Sequence, residues 1–128
     1  MPITPHQFLI DADGTIFLHD FPYIEKEVPH ALRVLKRMEE AGHILILHTC
    51  RADEPFEEAK RWIQDRGLNF FAHNCNPMFE SGSRKIYGHW HIDDHNLGSP
   101  LIHDPNIHRR AFVDWLAIEK LLEEKGLL

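Results

Sequence analysis

The sequence predicts an α/β fold, with residues 1–128 forming a single doubly wound domain on a mainly parallel sheet, and three observations carry that expectation. First, Phe8, Leu9 and Ile10, and later Ile44 to Leu47, form apolar runs without polar alternation, which suits strands covered on both faces. Second, residues between and after these runs recur at helical spacing, so strands and helices alternate. Third, each run ends abruptly in polar residues, and a weaker run, Ile86 to Ile92, ends in Asp93 and Asp94. A helix that joins two adjacent strands acts as the crossover of a βαβ unit. The polar tips are therefore expected on one edge of the sheet, where open α/β sheets hold ligands.

Taken in order, residues 16–28 mix Pro22 with alternating apolar positions and predict a hairpin or flap beside the first tip. Phe17, Phe21 and Tyr23 there are read as core or hinge packing. Pro29 opens a helix whose inner face is Ala31, Leu32, Leu35 and Met38, and Gly42 stops it. After the second strand, Asp53 is expected to cap a helix with Pro55 in its first turn and Phe56, Ala59, Trp62 and Ile63 facing inward; Gly67 closes it. Asn69 to Ala72 predicts a short third strand, and residues 73–84, rich in Asn, Pro, Ser and Gly, predict a loop. Leu101 and Ile102 suggest a last short strand. The final helix starts at Val113-Asp114-Trp115, with Asp114 as N-cap, Val113 stapling onto Ile118, and Trp115, Ile118, Leu121 and Leu122 packed inward. His108, Arg109 and Arg110 read as a solvated turn within reach of a phosphate-bearing partner.

The chemistry concentrates at Asp11-Ala12-Asp13-Gly14-Thr15. Asp11 and Asp13 lie two residues apart, so strand geometry turns both carboxylates one way and makes them repel. Such a pair wants a cation. Gly14 lets the chain turn away without a Cβ, and Thr15 returns a hydroxyl to the site. By the same topology Thr49, at the tip of the second strand, meets the carboxylates.

The formal net charge of −6 argues against a broad nucleic-acid-binding surface, so an anionic substrate needs a metal ion or a few placed cations. Residues 1–5 lack the basic start and apolar core of a signal peptide, and no apolar run approaches a membrane span, which makes a cytoplasmic protein the expectation. Cys50 and Cys75 are too few for a disulfide framework and read as free thiols acting as small buried hydrophobes. His89 and His91 would share a strand face with His95 close behind, which raises a transition-metal site. Asp93 and Asp94 beside them favour a hard, oxygen-liking cation instead.

Together these features resemble the haloacid dehalogenase (HAD) superfamily of phosphotransferases. Phe8 to Thr15 matches its first motif, Ile44 to Thr49 its second, Lys85 the lysine of its third, and Ile92-Asp93-Asp94 the acidic pair of its fourth. The resemblance spans Phe8 to about Asn96, and the stretch from Arg84-Lys85 to Asp94 is similar to small capless members. It implies a Rossmann-like, HAD-type domain and a Mg²⁺-dependent phosphatase in which Asp11 is the nucleophile and Asp13 the general acid and base. The same resemblance gives Mg²⁺ an Asp11 oxygen, the Asp13 carbonyl and a carboxylate of Asp93 or Asp94. Thr49 would donate to the transferring oxygens, helped by the backbone amides near Ala12 and Asp13, Gly14 and Thr15 would contact the substrate, and Lys85 would neutralise remaining charge. Arg51 either clamps a substrate phosphate or forms an ordinary surface ion pair.

Neither interval that holds a cap in this superfamily has room for one here. The site should be open, to a phosphorylated end of a macromolecule or to a small phosphate ester enclosed by a neighbouring subunit of a homo-oligomer. Two rivals stand beside this reading: a HAD-fold binding module that has lost turnover, and a receiver-type phosphoacceptor domain. The receiver order is reversed, with its acidic pair early and its phosphoacceptor later. Phosphonate or haloacid chemistry would need other partners for the nucleophile.

Overall fold

Unbroken apolar character puts β1 (Gln7–Ile10) at the centre of the molecule, with Phe8, Leu9 and Ile10 all buried. The computed structural model describes residues 2–128, so Met1, part of the N-terminal stretch considered above, lies outside the described residues. The expected flap forms as a hairpin of β2 (Phe17–Asp20) and β3 (Tyr23–Glu27). Then α1 (Ala31–Glu40) leads to β4 (Ile44–Leu47), α2 (Asp53–Asp65) leads to β5 (Ala72–His73), and an irregular segment leads to β6 (Trp90–Ile92). The small antiparallel pair β7 (Leu101–Ile102) and β8 (Phe112–Val113) precedes α3 (Trp115–Glu124). Among the described residues, no helix is long and apolar enough to cross a membrane.

The main sheet is parallel throughout, in the order β5-β4-β1-β6. Its register is level at the tips, because Ile10 pairs with Leu47 on one side and with Ile92 on the other. Asp11, His48 and Asp93 therefore leave the sheet side by side.

The α/β class and the parallel sheet agree with the sequence reading; the double winding does not. Residues of all three helices share one core with Phe8, Ile10, Leu45, Leu47 and Ile92, which form one face of the sheet. The opposite face, Leu9, Ile46 and Ala72, packs against the partly buried Ile44 and Ile86. Strand order reverses at β1, so a right-handed crossover from β5 to β6 must pass over this second face. That crossover is the Asn-, Pro-, Ser- and Gly-rich stretch, and it makes no helix. It lies close to the sheet: a Cβ on Gly88 would overlap Leu9 Cδ1.

Element ends also differ from expectation, for local reasons. The first helix begins at Ala31 rather than at Pro29, and its cap comes from outside, since Leu32 N–H donates to the Glu27 carboxylate of β3 at 2.8 Å. Asp53 is not a cap but the first residue of α2, where it and Glu54 complement the positive end of the helix dipole. Gly42 and Gly67 take the positive φ of helix stops, 94° and 84°. The third strand slides to Ala72–His73, and the fourth shortens to Trp90–Ile92 because the chain before it crosses over Leu9. Val113 pairs in β8 instead of opening the helix, while Asp114 caps it as expected by accepting from Ala117 N–H. Leu121 is exposed, not inward, and both cysteines are free but exposed rather than buried.

Helices α1 and α3 are clamped by Glu119, which accepts hydrogen bonds from Arg33 at 2.8 Å and Arg37 at 3.0 Å. The Arg33 contact, reinforced by Arg37, pulls the Glu119 carboxyl from its ordinary 4.5 down to about 2. A depressed carboxyl stabilises the fold fully above the unfolded value and loses that contribution as pH falls through the folded one. In thermal unfolding, Glu119→Gln should lower Tm above about pH 5, and its gap to the wild type should close as pH falls through 4.5 toward 2. A gap that stays constant over that window would contradict the assignment.

Candidate active site

A cavity of about 330 Å³ at the strand tips is lined by Asp11 and Asp13 after β1, Thr49 and Arg51 after β4, and Asp93 and Asp94 after β6. The flap adds His19 and Phe21, and Cys50 and His95 complete the wall. Six residues singled out in the sequence, drawn from three distant stretches, thus meet in one space.

Asp11 accepts a hydrogen bond from the Thr15 hydroxyl at 3.2 Å. Burial first, then the charges of Asp93 and Asp94, push its carboxyl up to about 8. Asp94 is raised as well, chiefly by burial. Carboxylates that oppose one another's ionisation in this way form a donor set short of positive charge, a conflict that a proton or a divalent cation relieves. The Asp13 carbonyl accepts no hydrogen bond among the described residues. Asp93, Asp94 and His95 bring one ligand atom each within 4.8 Å of one another. His89 and His91 join no such group: His89 stacks on His6 at 4.4 Å and His91 faces His48 at 6.1 Å.

Gly14 and Thr15 do not line the cavity and support it from behind. At Gly14 φ is 77°, and a Cβ would overlap Asp94 Oδ2 and lie 2.8 Å from its Cγ. Only glycine therefore lets the late acidic pair approach the first motif. Its N–H donates to Phe17 and its carbonyl accepts from Val113 N–H at 3.0 Å. Thr15 is fully buried, and its carbonyl accepts from the Trp115 indole at 2.6 Å. The C-terminal segment thus pins the turn from Asp11 to Thr15, a role that the sequence reading missed.

Arg51 is neither a substrate clamp nor a surface pair. Its side chain is 1% exposed, and it donates to both oxygens of Asp13 at 2.8 Å, a bidentate pair. Its remaining donors hold the carbonyls of Pro22 and Tyr23 in the flap and of Pro55 in α2. The guanidinium also lies 5.1 Å from the ring centroids of both Phe17 and Phe21. Arg51 is saturated, and it ties Asp13 to the flap.

Thr49 Oγ1 accepts from Arg51 N–H at 3.0 Å, while its backbone is paired with an amide side chain: Asn74 Oδ1 accepts from Thr49 N–H and Asn74 Nδ2 donates to Thr49 O. Asn74, at φ 51°, imitates one more residue of strand beyond β5. The available signal was an Asn directly after a strand, since Asn tolerates that conformation and carries a peptide-like amide.

Lys85 does not line the cavity. It is exposed and lines two other cavities with Ile86, Ser83 and Phe79, because the shortened β6 leaves it in the irregular crossover, well before the strand tip. Its charge is felt at His91, whose imidazole is held below its usual range by burial, then by His48 and Lys85.

No protein-family model matches the chain, and no curated protein matches it. Among solved structures it is similar to the conserved protein coded by a locus of Bacteroides thetaiotaomicron, with 33% identity over 95% of this chain and 93% of that one and a TM-score of 0.78.

Two stability measurements test this geometry. Gly14→Ala should cost about 1–3 kcal/mol from backbone strain and the clash with Asp94. Adding Asp94→Ala should recover the clash part, giving a coupling of at least ~0.5 kcal/mol in urea unfolding. Arg51→Met should cost about 3–5 kcal/mol, because Asp13 is left without its partner, and Arg51→Lys should recover only part since it lacks the planar fork. A loss under ~1 kcal/mol for Arg51→Met would mean the pair is not the tie described.

Proposed function

The chain belongs to one family with that conserved Bacteroides thetaiotaomicron protein, and we propose that it is a Mg²⁺-dependent phosphoric monoester hydrolase of the HAD type. The observation that carries this reading is the single cavity in which Asp11 meets Thr49, Asp93 and Asp94.

Asp11 would attack phosphorus in line, so that a carboxylate oxygen bonds to phosphorus as the bond to the leaving oxygen breaks, giving an aspartyl phosphate. Water would then attack the same phosphorus, releasing inorganic phosphate and restoring the carboxylate. Mg²⁺ held by Asp11, the Asp13 carbonyl and Asp93 or Asp94 would offset the repulsion between carboxylate and phosphoryl group. The Thr49 oxygen already accepts from Arg51 N–H, which leaves its hydroxyl proton for a phosphoryl oxygen. Asp13 would protonate the leaving oxygen and later take a proton from water. Each of its oxygens accepts one contact from Arg51 and keeps a second lone pair for that proton. Because Arg51 also holds the Pro22 and Tyr23 carbonyls, any movement of Asp13 toward the leaving group is linked to movement of the flap.

With no cap, the mouth admits a small phosphate ester or the phosphorylated end of a larger molecule. The rival reading of a binding module without turnover draws on one observation, the grip of Arg51 on both Asp13 oxygens. Hydrolysis of an aryl phosphate separates the two. The wild type should turn it over with Mg²⁺ and stop on chelation, and Asp11→Asn should lower kcat on the order of 10³-fold or more. Turnover indifferent to Mg²⁺ or to Asp11→Asn would sink the proposal, and no turnover at all would favour the binding module.

A further inference from the structure

We propose that Arg110 forms a subsite for a second anionic group, so that the preferred substrate is a phosphate ester whose leaving group itself carries a carboxylate or a phosphate. The inference takes from the phosphatase reading only which group is transferred, and adds what holds the rest of the molecule.

A second cavity, about 270 Å³, is lined by Asp94, His95, Arg110 and Ala111. It shares Asp94 and His95 with the catalytic cavity, so the two adjoin. A ligand whose phosphoryl group lies at Asp11 can extend along this wall toward Arg110. Any further negative charge there is repelled by Asp93 and Asp94 unless a cation receives it.

Of the cations that the sequence offers for this task, Arg51 is fully engaged and Lys85 lines other cavities. Arg110 is exposed, and among the described residues it forms no ion pair. Its Nη1 sits against the His19 ring, 2.8 Å from Nδ1 and 3.0 Å from Nε2, which leaves Nε and Nη2 to grip two oxygens of one anionic group. A guanidinium beside the acidic site without a carboxylate of its own is suited to an incoming anion.

Its position is also held. Val113 N–H donates to the Gly14 carbonyl at 3.0 Å, which fixes the end of this segment to the catalytic turn. On the other side Arg109 lies 3.8 Å from Asp20 in the flap, next to the Arg110 contact with His19. Arg110 therefore stands between the turn that carries the carboxylates and the hairpin that covers them.

Equilibrium binding of three unreactive ligands, in excess Mg²⁺, tests the subsite without requiring turnover. Propylphosphonate has one anionic group; 3-phosphonopropionate adds a carboxylate and propane-1,3-bisphosphonate a second phosphonate. The wild type should bind at least one of the doubly anionic ligands tenfold or more tighter than propylphosphonate, and the tighter of the two identifies the second anion. Arg110→Gln should abolish that preference while leaving propylphosphonate within about twofold, and Arg110→Lys should retain part of it. No preference in the wild type, no binding of any of the three, or an equal loss for all three in Arg110→Gln would overturn the proposal. A preference that depends on Arg110, in a chain that hydrolyses no ester, would keep the subsite and remove the phosphatase reading instead.

Discussion

The level register of three parallel strands is the constraint on which the site depends. Ile10 pairs with both Leu47 and Ile92, so three apolar strands end at one height and the next residues emerge together. A one-residue shift of β6 against β1 would move the late carboxylates to the other face of the sheet, and the same shift of β4 would move Thr49. The buried apolar side chains below this line hold it in place. The price is electrostatic: the same packing that aligns the strands leaves Asp11 partly desolvated beside Asp93 and Asp94, and its carboxyl rises to about 8. A proton or a divalent cation relieves that conflict.

A second network keeps the turn from Asp11 to Thr15 in shape. Asp13 is fixed by Arg51, Asp11 by Thr15, and the turn itself by Val113 and Trp115 from the end of the chain. Arg51 links this network to the flap, whose Phe21 lines the cavity while remaining 54% exposed. The charge of Arg51 is therefore used for architecture, although its place beside the site suggested substrate binding. That reassignment is what gives Arg110, with no carboxylate partner among the described residues, its interest.

The alternation of strands and helices, the flap, the polar strand tips and the meeting of Asp11, Asp13, Thr49, Asp93 and Asp94 were all legible in the residues. Local pattern suffices for these, since apolar periodicity encodes which face is buried and crossover topology brings the tips to one edge. The winding was not legible. A run of Asn, Pro, Ser and Gly says that a segment is irregular; it does not say that this segment must cover the back of the sheet. Lys85 was misplaced for the same reason, because it sits in that cover and not at the strand tip.

By itself, then, the sequence determined the α/β class, the central strands and the acidic side chains at their ends. The tertiary structure alone decided which face is left thinly covered, that Arg51 belongs to Asp13, that Asn74 extends the sheet beside Thr49, and that Arg110 stands beside the cavity. The physical reason is range. Burial patterns repeat within a few residues, whereas a guanidinium finds its carboxylate across 38 positions of chain, and only the assembled sheet sets that distance.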